Sequence, residues 1–363
     1  MPSPNQLSSA HVKARAVELG FDLCGIAPAG DVEELARLPQ WLARGYGGRM
    51  TYLNRTARVR ADVRRWLPPA LSVVAVASFY DTDRPHHIEM GDPARARIAR
   101  YAWGDDYHDV MGRRLDRLAR WMREAAGPGF DARWSVDDGP VQEKIYASRA
   151  GLGWIGKHTC VVNAERGSWM LLGVLACNVD LEPDGPAVDQ CGTCRLCVDA
   201  CPAGAFVEPY VLDARRCLSY LTIEIRGSMP AGQRPGVGAH VFGCDICQDV
   251  CPYNAVAPMA RDACWQPKAP LQDATLESLW DLDDAGLEGA IEGTALRRAG
   301  VRGLRRNLAV AIGNAGCTLA SALLPGLVPG TIPAPGTYSS VGRASQDDPM
   351  VAEHITWARS RPR

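Results

Sequence analysis

Lysine is nearly missing from this sequence. Only Lys13, Lys144, Lys157 and Lys268 carry an ammonium, against thirty-six arginines. Much of that bias reflects genome composition, so a local run of arginines is discounted accordingly. Net charge is scarce too: forty cations nearly balance forty-one carboxylates, leaving a formal −1. Bulk electrostatics therefore singles out no partner. No stretch approaches ~20 uninterrupted apolar residues, which argues against a helical membrane span. Residues 1–10 are polar, with neither an apolar h-region nor a twin-arginine signal, so the chain is read as cytosolic. What the chain does have is cysteine, thirteen residues of it. In a reducing compartment, closely spaced cysteines mean metal rather than disulfides.

The cysteines organise the sequence. Cys191-x2-Cys194-x2-Cys197-x3-Cys201-Pro202 has the spacing of a bacterial ferredoxin, in which three cysteines hold one cubane and the fourth reaches the other. Cys244-x2-Cys247-x3-Cys251-Pro252 repeats the pattern without its first member, and Cys217 can supply that ligand. Eight thiolates suit two [4Fe-4S] clusters, one on Cys191, Cys194, Cys197 and Cys251, the other on Cys201, Cys217, Cys244 and Cys247. Two zinc sites of four cysteines each are the alternative, but zinc sites usually show isolated x2 pairs. Cys24, Cys160, Cys177, Cys264 and Cys317 fit neither run and are read as small buried apolar residues. Tandem clusters mean electron transfer, and the ~180 residues before them are enough for a second redox centre or a substrate pocket.

The length suggests roughly two or three domains. Periodicity predicts a helix over 9–20, a strand over 21–27, interrupted helix over 32–53 and an arginine-bearing loop over 59–69. Residues 71–79 (LSVVAVASF) read as a strand buried on both faces. Residues 106–125 form a strong amphipathic helix with Val110, Met111, Leu115, Leu118 and Met122 inward. A short strand over 134–137, a helix over 141–150, a glycine-punctuated turn over 151–156 and strands over 159–162 and 169–177 follow. This alternation predicts an α/β or α+β sandwich over 1–180. Short helical turns surround the cysteines of 186–258, helices cover 304–324 and 351–360, and the proline- and glycine-rich 325–346 reads as a long loop.

Three further features are weighed. Asp137, at a strand end in Ser135-Val-Asp-Asp-Gly-Pro140, can donate a proton if desolvation raises its pKa. The plainer alternative is that Asp137 or Asp138 turns the chain or caps the next helix. The turn Gly151 to Gly156, with Lys157 and His158, could cradle an anion or a planar cofactor, although it is no P-loop. His108, in Asp106-Tyr-His-Asp-Val-Met-Gly112, is read as structural. Arg297, Arg298, Arg302, Arg305 and Arg306 could meet phosphates or form a solvated helix face.

Taken together these residues resemble the epoxyqueuosine reductases. The resemblance rests on Ser72-Val-Val-Ala-Val, Arg100-Tyr-Ala-Trp-Gly-Asp-Asp-Tyr-His108, Val136-Asp-Asp-Gly-Pro-Val141 and Ala150-Gly-Leu-Gly-Trp-Ile-Gly-Lys-His158. It extends through both cysteine runs and Leu296-Arg-Arg-Ala-Gly-Val-Arg-Gly-Leu-Arg-Arg-Asn307. It implies an α/β (α+β) cobalamin-binding domain over 1–182, a two-cluster ferredoxin-like module over 183–260 and a C-terminal helical HEAT-like tRNA-binding region over 261–363. Asp137 matches the proton donor. Arg60, Ala99, Asp137, Val161, Val162, Asn163 and Leu172 match cobalamin contacts, with Ser219, Asp245 and Ile246 beside the cluster cysteines. Arg226 and the arginines of 297–306 match the tRNA side. The chain departs from the family at Gln142-Glu143-Lys144, where many members have leucine and Glu-Arg, and at Ala99, where some have cysteine.

The resemblance implies reduction of epoxyqueuosine to queuosine at the wobble position of a GUN-anticodon tRNA. Electrons would pass from a flavodoxin- or ferredoxin-type donor through the outer cluster to the inner one, and on to base-off cobalamin. Cys217 and the Cys244–Cys247 loop would face the corrin, Asp137 would protonate the leaving oxygen, and the protein would act as a monomer. A reductive dehalogenase-like enzyme on a small substrate and a plain ferredoxin-type carrier are the competing readings.

Overall fold

Ser72–Phe79 is buried at every position, because the strand it forms lies at the centre of a layered domain. The computed structural model describes residues 7–30, 32–324 and 348–361. The loop expected over 325–346 lies outside them. Four strands, β1 (Leu23–Pro28), β2 (Ser72–Phe79), β7 (Met170–Cys177) and β4 (Ala132–Ser135), form one sheet in the order β1-β2-β7-β4. All three pairings are antiparallel, with Leu23 opposite Ala77, Ser72 opposite Cys177 and Ser135 opposite Val174. The fold is therefore α+β in this region, and the continuous apolar run of β2 reflects helices on both faces rather than parallel pairing.

The pleat sorts β2 between two cores. Val74 and Val76 face α1 (Ser9–Glu18) and α4 (Tyr107–Ala126), while Val73, Ala75 and Ala77 face α5 (Glu143–Arg149) and Leu35, Val63 and Leu67. Asp106 caps α4 by accepting from the His108 N–H. A cap contributes ~1 kcal/mol. Five buried side chains, Val110, Met111, Leu115, Leu118 and Met122, each contribute about 1.5–3 kcal/mol, so packing holds this helix in place. Gly25 in β1 permits close layering, because a Cβ there would lie 2.0 Å from the Ala150 carbonyl oxygen at the end of α5.

Between the sheet strands run α2 (Arg37–Ala43), α3 (Thr51–Arg60), the short β3 (Arg97–Ile98) and the hairpin of β5 (Trp154–Ile155) and β6 (Val161–Val162). α3 carries Arg60 in its last turn, where the sequence suggested a loop. Pro39 lies inside α2 without interrupting it. The strand His240–Phe242 pairs in parallel with β3 and ties the cysteine-rich segment to the chain between β2 and α4. The helix Gly300–Ala315 is buried from Gly303 through Gly313. It packs against Leu276–Asp281 and Pro349–Arg359. Leu304, Leu308 and Ile355 share one continuous core with Val74 and α4. No helix among the described residues is long and apolar enough to cross a membrane.

Candidate functional site

The cysteines gather as their spacing indicates. Short helices, Leu196–Asp199 and Ile246–Asp249, carry the two runs, and a 3-10 turn at Ala214–Arg216 delivers Cys217. Burial, then the charges of Cys251, Cys191 and Cys194, push the Cys197 thiol up to about 11. Burial, Asp245, Cys217 and Cys201 push Cys244 well above its usual range. Burial, Cys160, Cys244 and Cys217 do the same to Cys247. The neighbours divide into the two groups of four. None of the described cysteines is in a disulfide. Among the described residues no three Cys, His, Asp or Glu side chains converge on a single ion. The all-sulfur donor set suits two iron–sulfur clusters.

The second constellation forms around Asp137. β4 ends at Ser135, and two residues later the chain takes a left-handed turn, with Asp137 at φ 60°. That conformation costs roughly 1–2 kcal/mol outside glycine. Three hydrogen bonds of about 0.5–1.5 kcal/mol each offset it. The Asp137 N–H donates to Glu143 Oε1 at 2.7 Å, Tyr107 Oη donates to Asp137 Oδ2 at 2.6 Å, and Gly139 N–H donates to Ser135 Oγ at 2.9 Å. Ser135 Oγ also donates to Glu143 Oε1 at 2.9 Å. Burial and the Asp137 charge push the Glu143 carboxyl well above the carboxylate range. The Asp137 carboxylate itself is exposed to solvent. The capping alternative does not hold: α5 begins without a side-chain cap.

Other groups close around the same space. Arg60 Nη1 donates to the Val141 carbonyl at 2.8 Å, tethering α3 to the end of the aspartate loop. Burial lowers the pKa of its guanidinium, against the charges of Tyr52 and Asp137. Arg298 pairs with Glu224 at 2.9 Å and lies over the Tyr52 ring. Tyr101 meets Tyr107 edge to face, and burial, Asp137 and Asp245 raise its pKa. His108 stacks on Tyr107 and is held by Asp106 at 2.7 Å. Outside this space, Arg113, Arg117, Arg120 and Trp134 line a surface groove with His108.

The remaining expected contacts divide into two sets. Val161 and Leu172 lie in the core shared with α5. Val162 is fully buried, and Asn163 is committed to the Leu152 carbonyl and to the N–H groups of Glu165 and Arg166. Ala99, Asp245 and Ile246 lie together on the side of the inner cysteines. Gly243 bears directly on Ala99, and Asp245 accepts the Arg100 N–H at 2.6 Å. Ser219 follows Cys217 at the start of a single π-helical turn.

The arginine run is split, and this corrects its reading as one surface patch. Arg305 and Arg306 are 0% and 1% exposed. Arg305 bonds to the Trp280 and Leu282 carbonyls and to Asp284. Arg306 bonds to the Leu221, Ile225 and Gly227 carbonyls, and burial brings its pKa down to about 10. Neither has surface to offer a phosphate. Arg226, Arg297, Arg298 and Arg302 remain exposed, Arg302 in a bidentate pair with Asp348.

The glycine-punctuated turn also differs from its expected role. It is the β5–β6 hairpin, and it docks on the first cysteine run through Trp154 and Lys157 instead of forming an open cradle. Cys160, read as a small buried residue, lies beside Cys247. Burial raises its pKa, but Lys144 and His158 outweigh that and bring it to about 7. Tyr107, Glu143 and Trp154 were not singled out from the sequence. The one available signal was position, since all three lie within or beside the motifs that carry the family resemblance.

Comparison with known proteins follows the same lines. Residues 60–138 match the family model described as epoxyqueuosine reductase QueG, DUF1730. Residues 190–254 match a 4Fe-4S double cluster binding domain. The epoxyqueuosine reductase of Gloeobacter violaceus is 45% identical over 87% of this chain and 99% of its own length. That of Pseudomonas aeruginosa is 40% identical over 99% and 96%. An epoxyqueuosine reductase solved with an epoxyqueuosine-modified tRNA-Tyr stem loop superposes with a TM-score of 0.81 at 26% identity, covering 96% of this chain and 88% of that one. The Bacillus subtilis enzyme, solved with its catalytic aspartate loop swung out of the active site, gives 0.80 at 26% identity over the same shares.

Proposed function

This chain belongs to the epoxyqueuosine reductase family, and on that premise we propose that Asp137 is the acid of an epoxide reduction carried out on tRNA. It is an oxidoreductase whose 4Fe-4S double cluster domain holds the redox metal. The observation that carries the proposal is the Asp137 carboxylate, fixed between the Tyr107 hydroxyl and Glu143 on a strained turn beside Arg60. Glu143 retains a proton above the ordinary carboxylate range and so stores an acid equivalent one hydrogen bond from the turn.

Cobalamin, when bound over Arg60, Val161, Val162, Asn163 and Leu172 on one side and Ala99, Ser219, Asp245 and Ile246 on the other, would supply two-electron reduction at the epoxide carbon. Among these residues Arg60 offers the cation and the half-buried Leu172 and Ile246 apolar surface, whereas the side chains of Val161, Val162 and Ala99 are buried; the half-buried set suits a large ring with amide edges. The residues' own task is to orient and protonate. Asp137 delivers the proton to the departing oxygen, Tyr107 fixes the carboxyl through Oδ2, and Glu143 holds its backbone. General acid assistance of this kind contributes about 10²–10⁴-fold.

The substrate nucleotide must leave the anticodon stack to reach Asp137, since base edges in a folded RNA are otherwise closed to chemistry. Arg226, Arg297, Arg298 and Arg302, with Arg113, Arg117 and Trp134 of the adjoining groove, provide cations and a ring for that strand. The helices Gly300–Ala315 and Pro349–Arg359, which pack together, form the HEAT-like element of this proposal. The domain limits 1–182, 183–260 and 261–363 belong to it too, as do cytosolic location, monomeric state and a one-electron carrier as donor.

Asp137→Asn tests the core of this reading. Turnover on epoxyqueuosine-tRNA is expected to fall by about 10²–10⁴-fold with iron and cobalamin contents unchanged. Wild-type turnover in a fully loaded variant would refute the assignment.

A further inference from the structure

The β5–β6 hairpin is used neither by the acid at Asp137 nor by the exposed arginines, yet it is among the most deeply set pieces of the molecule. Trp154 is 3% exposed, and its Nε1–H donates to Cys191 Sγ at 3.4 Å. The Tyr253 ring meets the indole edge to face at 4.9 Å, and Tyr253 Oη donates to the Gln190 carbonyl at 3.0 Å. The indole is therefore clamped against the cysteine it serves. Lys157, a rare lysine in this chain, is 8% exposed. Its Nζ donates to the Gly192 carbonyl at 2.6 Å and the Cys194 carbonyl at 2.8 Å, inside the loop that carries two cluster ligands. His158 is 3% exposed, and its Nε2 has no hydrogen-bond partner. The Cys160 N–H points at His158 Nδ1 at 3.1 Å.

We propose that this hairpin sets the reduction potential of the outer cluster, through the Trp154 N–H on the Cys191 sulfur and the buried Lys157 ammonium. The outer cluster is the one on Cys191, Cys194, Cys197 and Cys251. Cys194 is exposed there, so this is the group that a soluble electron carrier can approach. One electron arrives from a low-potential one-electron carrier, which is oxidised, and the cluster is reduced by one unit of charge with no bond made or broken. Donors and cations aimed at the sulfurs stabilise that added negative charge and raise the potential. The effect is strong where water is excluded, as it is at Trp154 and Lys157. The hairpin thereby raises the potential of the outer cluster and bears on which carriers can load it. This inference rests on the clusters alone and is independent of the assignments of cobalamin and Asp137.

The test is a potentiometric titration of the anaerobic holoprotein, followed by electron paramagnetic resonance. Trp154→Phe keeps an aromatic ring against Tyr253 and removes only the N–H. One of the two cluster midpoints should move to more negative potential while the other stays in place. Lys157→Met should move the same midpoint in the same direction, and Lys157→Arg should restore most of it. A midpoint unchanged in Trp154→Phe at full iron content overturns the proposal. Should that variant lose iron, the unsubstituted protein labelled with ¹⁵N-indole tryptophan decides. A ¹⁵N hyperfine coupling on the reduced cluster is expected, and its absence overturns the proposal equally.

Discussion

Asp137 and Glu143 form one acidic unit with two duties. Glu143 Oε1 receives both the Asp137 N–H and the Ser135 hydroxyl, so the glutamate controls the shape of the turn as well as its charge. Because the Glu143 carboxyl is raised, its proton is present at low pH and leaves as pH climbs through the raised value. Turnover limited by that proton should decline on the alkaline side. Glu143→Gln keeps the hydrogen-bond acceptor but cannot titrate. It is expected to lower kcat by about tenfold and flatten the alkaline limb. An unchanged pH profile would remove Glu143 from the acid unit. At this scale the sequence pointed to Asp137 through its motif. It could not show Tyr107 or Glu143 as partners, because those contacts depend on where α4 and α5 pass the end of β4.

At the scale of elements, the helix Gly300–Ala315 illustrates what periodicity misses. The sequence reads an apolar stripe of Leu304, Leu308, Ala311, Ile312 and Ala315, and all of them but the half-buried Ala315 are buried. The arginines from 297 to 306 were read together, yet Arg297 and Arg302 face solvent whereas Arg305 and Arg306 serve carbonyl groups inside the molecule. A buried arginine is indistinguishable from an exposed one in a pattern of apolar residues; only the unpaired carbonyls of distant segments call for it. Arg306→Met is therefore expected to cost about 3–5 kcal/mol in denaturant unfolding, since several buried acceptors lose their donor together. Arg297→Ala should leave stability within about 0.5 kcal/mol. It should weaken tRNA binding and reduce the salt dependence by about one phosphate contact. Equal stability of the Arg306→Met and wild-type proteins would show that these carbonyls do not need the guanidinium. The strands and the long helix α4 were legible because each is long and strongly patterned. The antiparallel sheet was not, since β2 carries no alternation when helices cover both faces.

At the scale of the whole molecule, two buried histidines couple stability to acidity. Burial and then His87 bring His240 down to about 3, and burial brings His354 down to about 4. Both are neutral when folded and take up a proton on unfolding below about pH 6.5. Their contribution is complete above that value and declines as pH falls toward 4 and 3, by roughly 2 kcal/mol per histidine at pH 5. Denaturant midpoints at pH 7.5 and pH 5 measure it, and His354→Gln, which cannot take up that proton, should lose less stability on acidification than the wild type. His354 also accepts the Met229 N–H at 3.0 Å, so the helix Pro349–Arg359 is fastened to the segment that follows Cys217.

The guanidinium of Arg306 reaches three carbonyls within 221–227, a segment that begins four residues after a metal ligand. Arg306 therefore joins the seating of the helix Gly300–Ala315 to the order of the segment behind Cys217, and clusters that order that segment would also steady the helix. A chain in which that segment is less ordered would hold the helix, and the exposed arginines beside it, less firmly. Iron supply would then act as a licence for RNA contact: an unmetallated copy would not occupy tRNA that it could not modify. Gel-shift binding of tRNA before and after anaerobic chelation should show this as a loss of affinity, restored when iron and sulfide are returned.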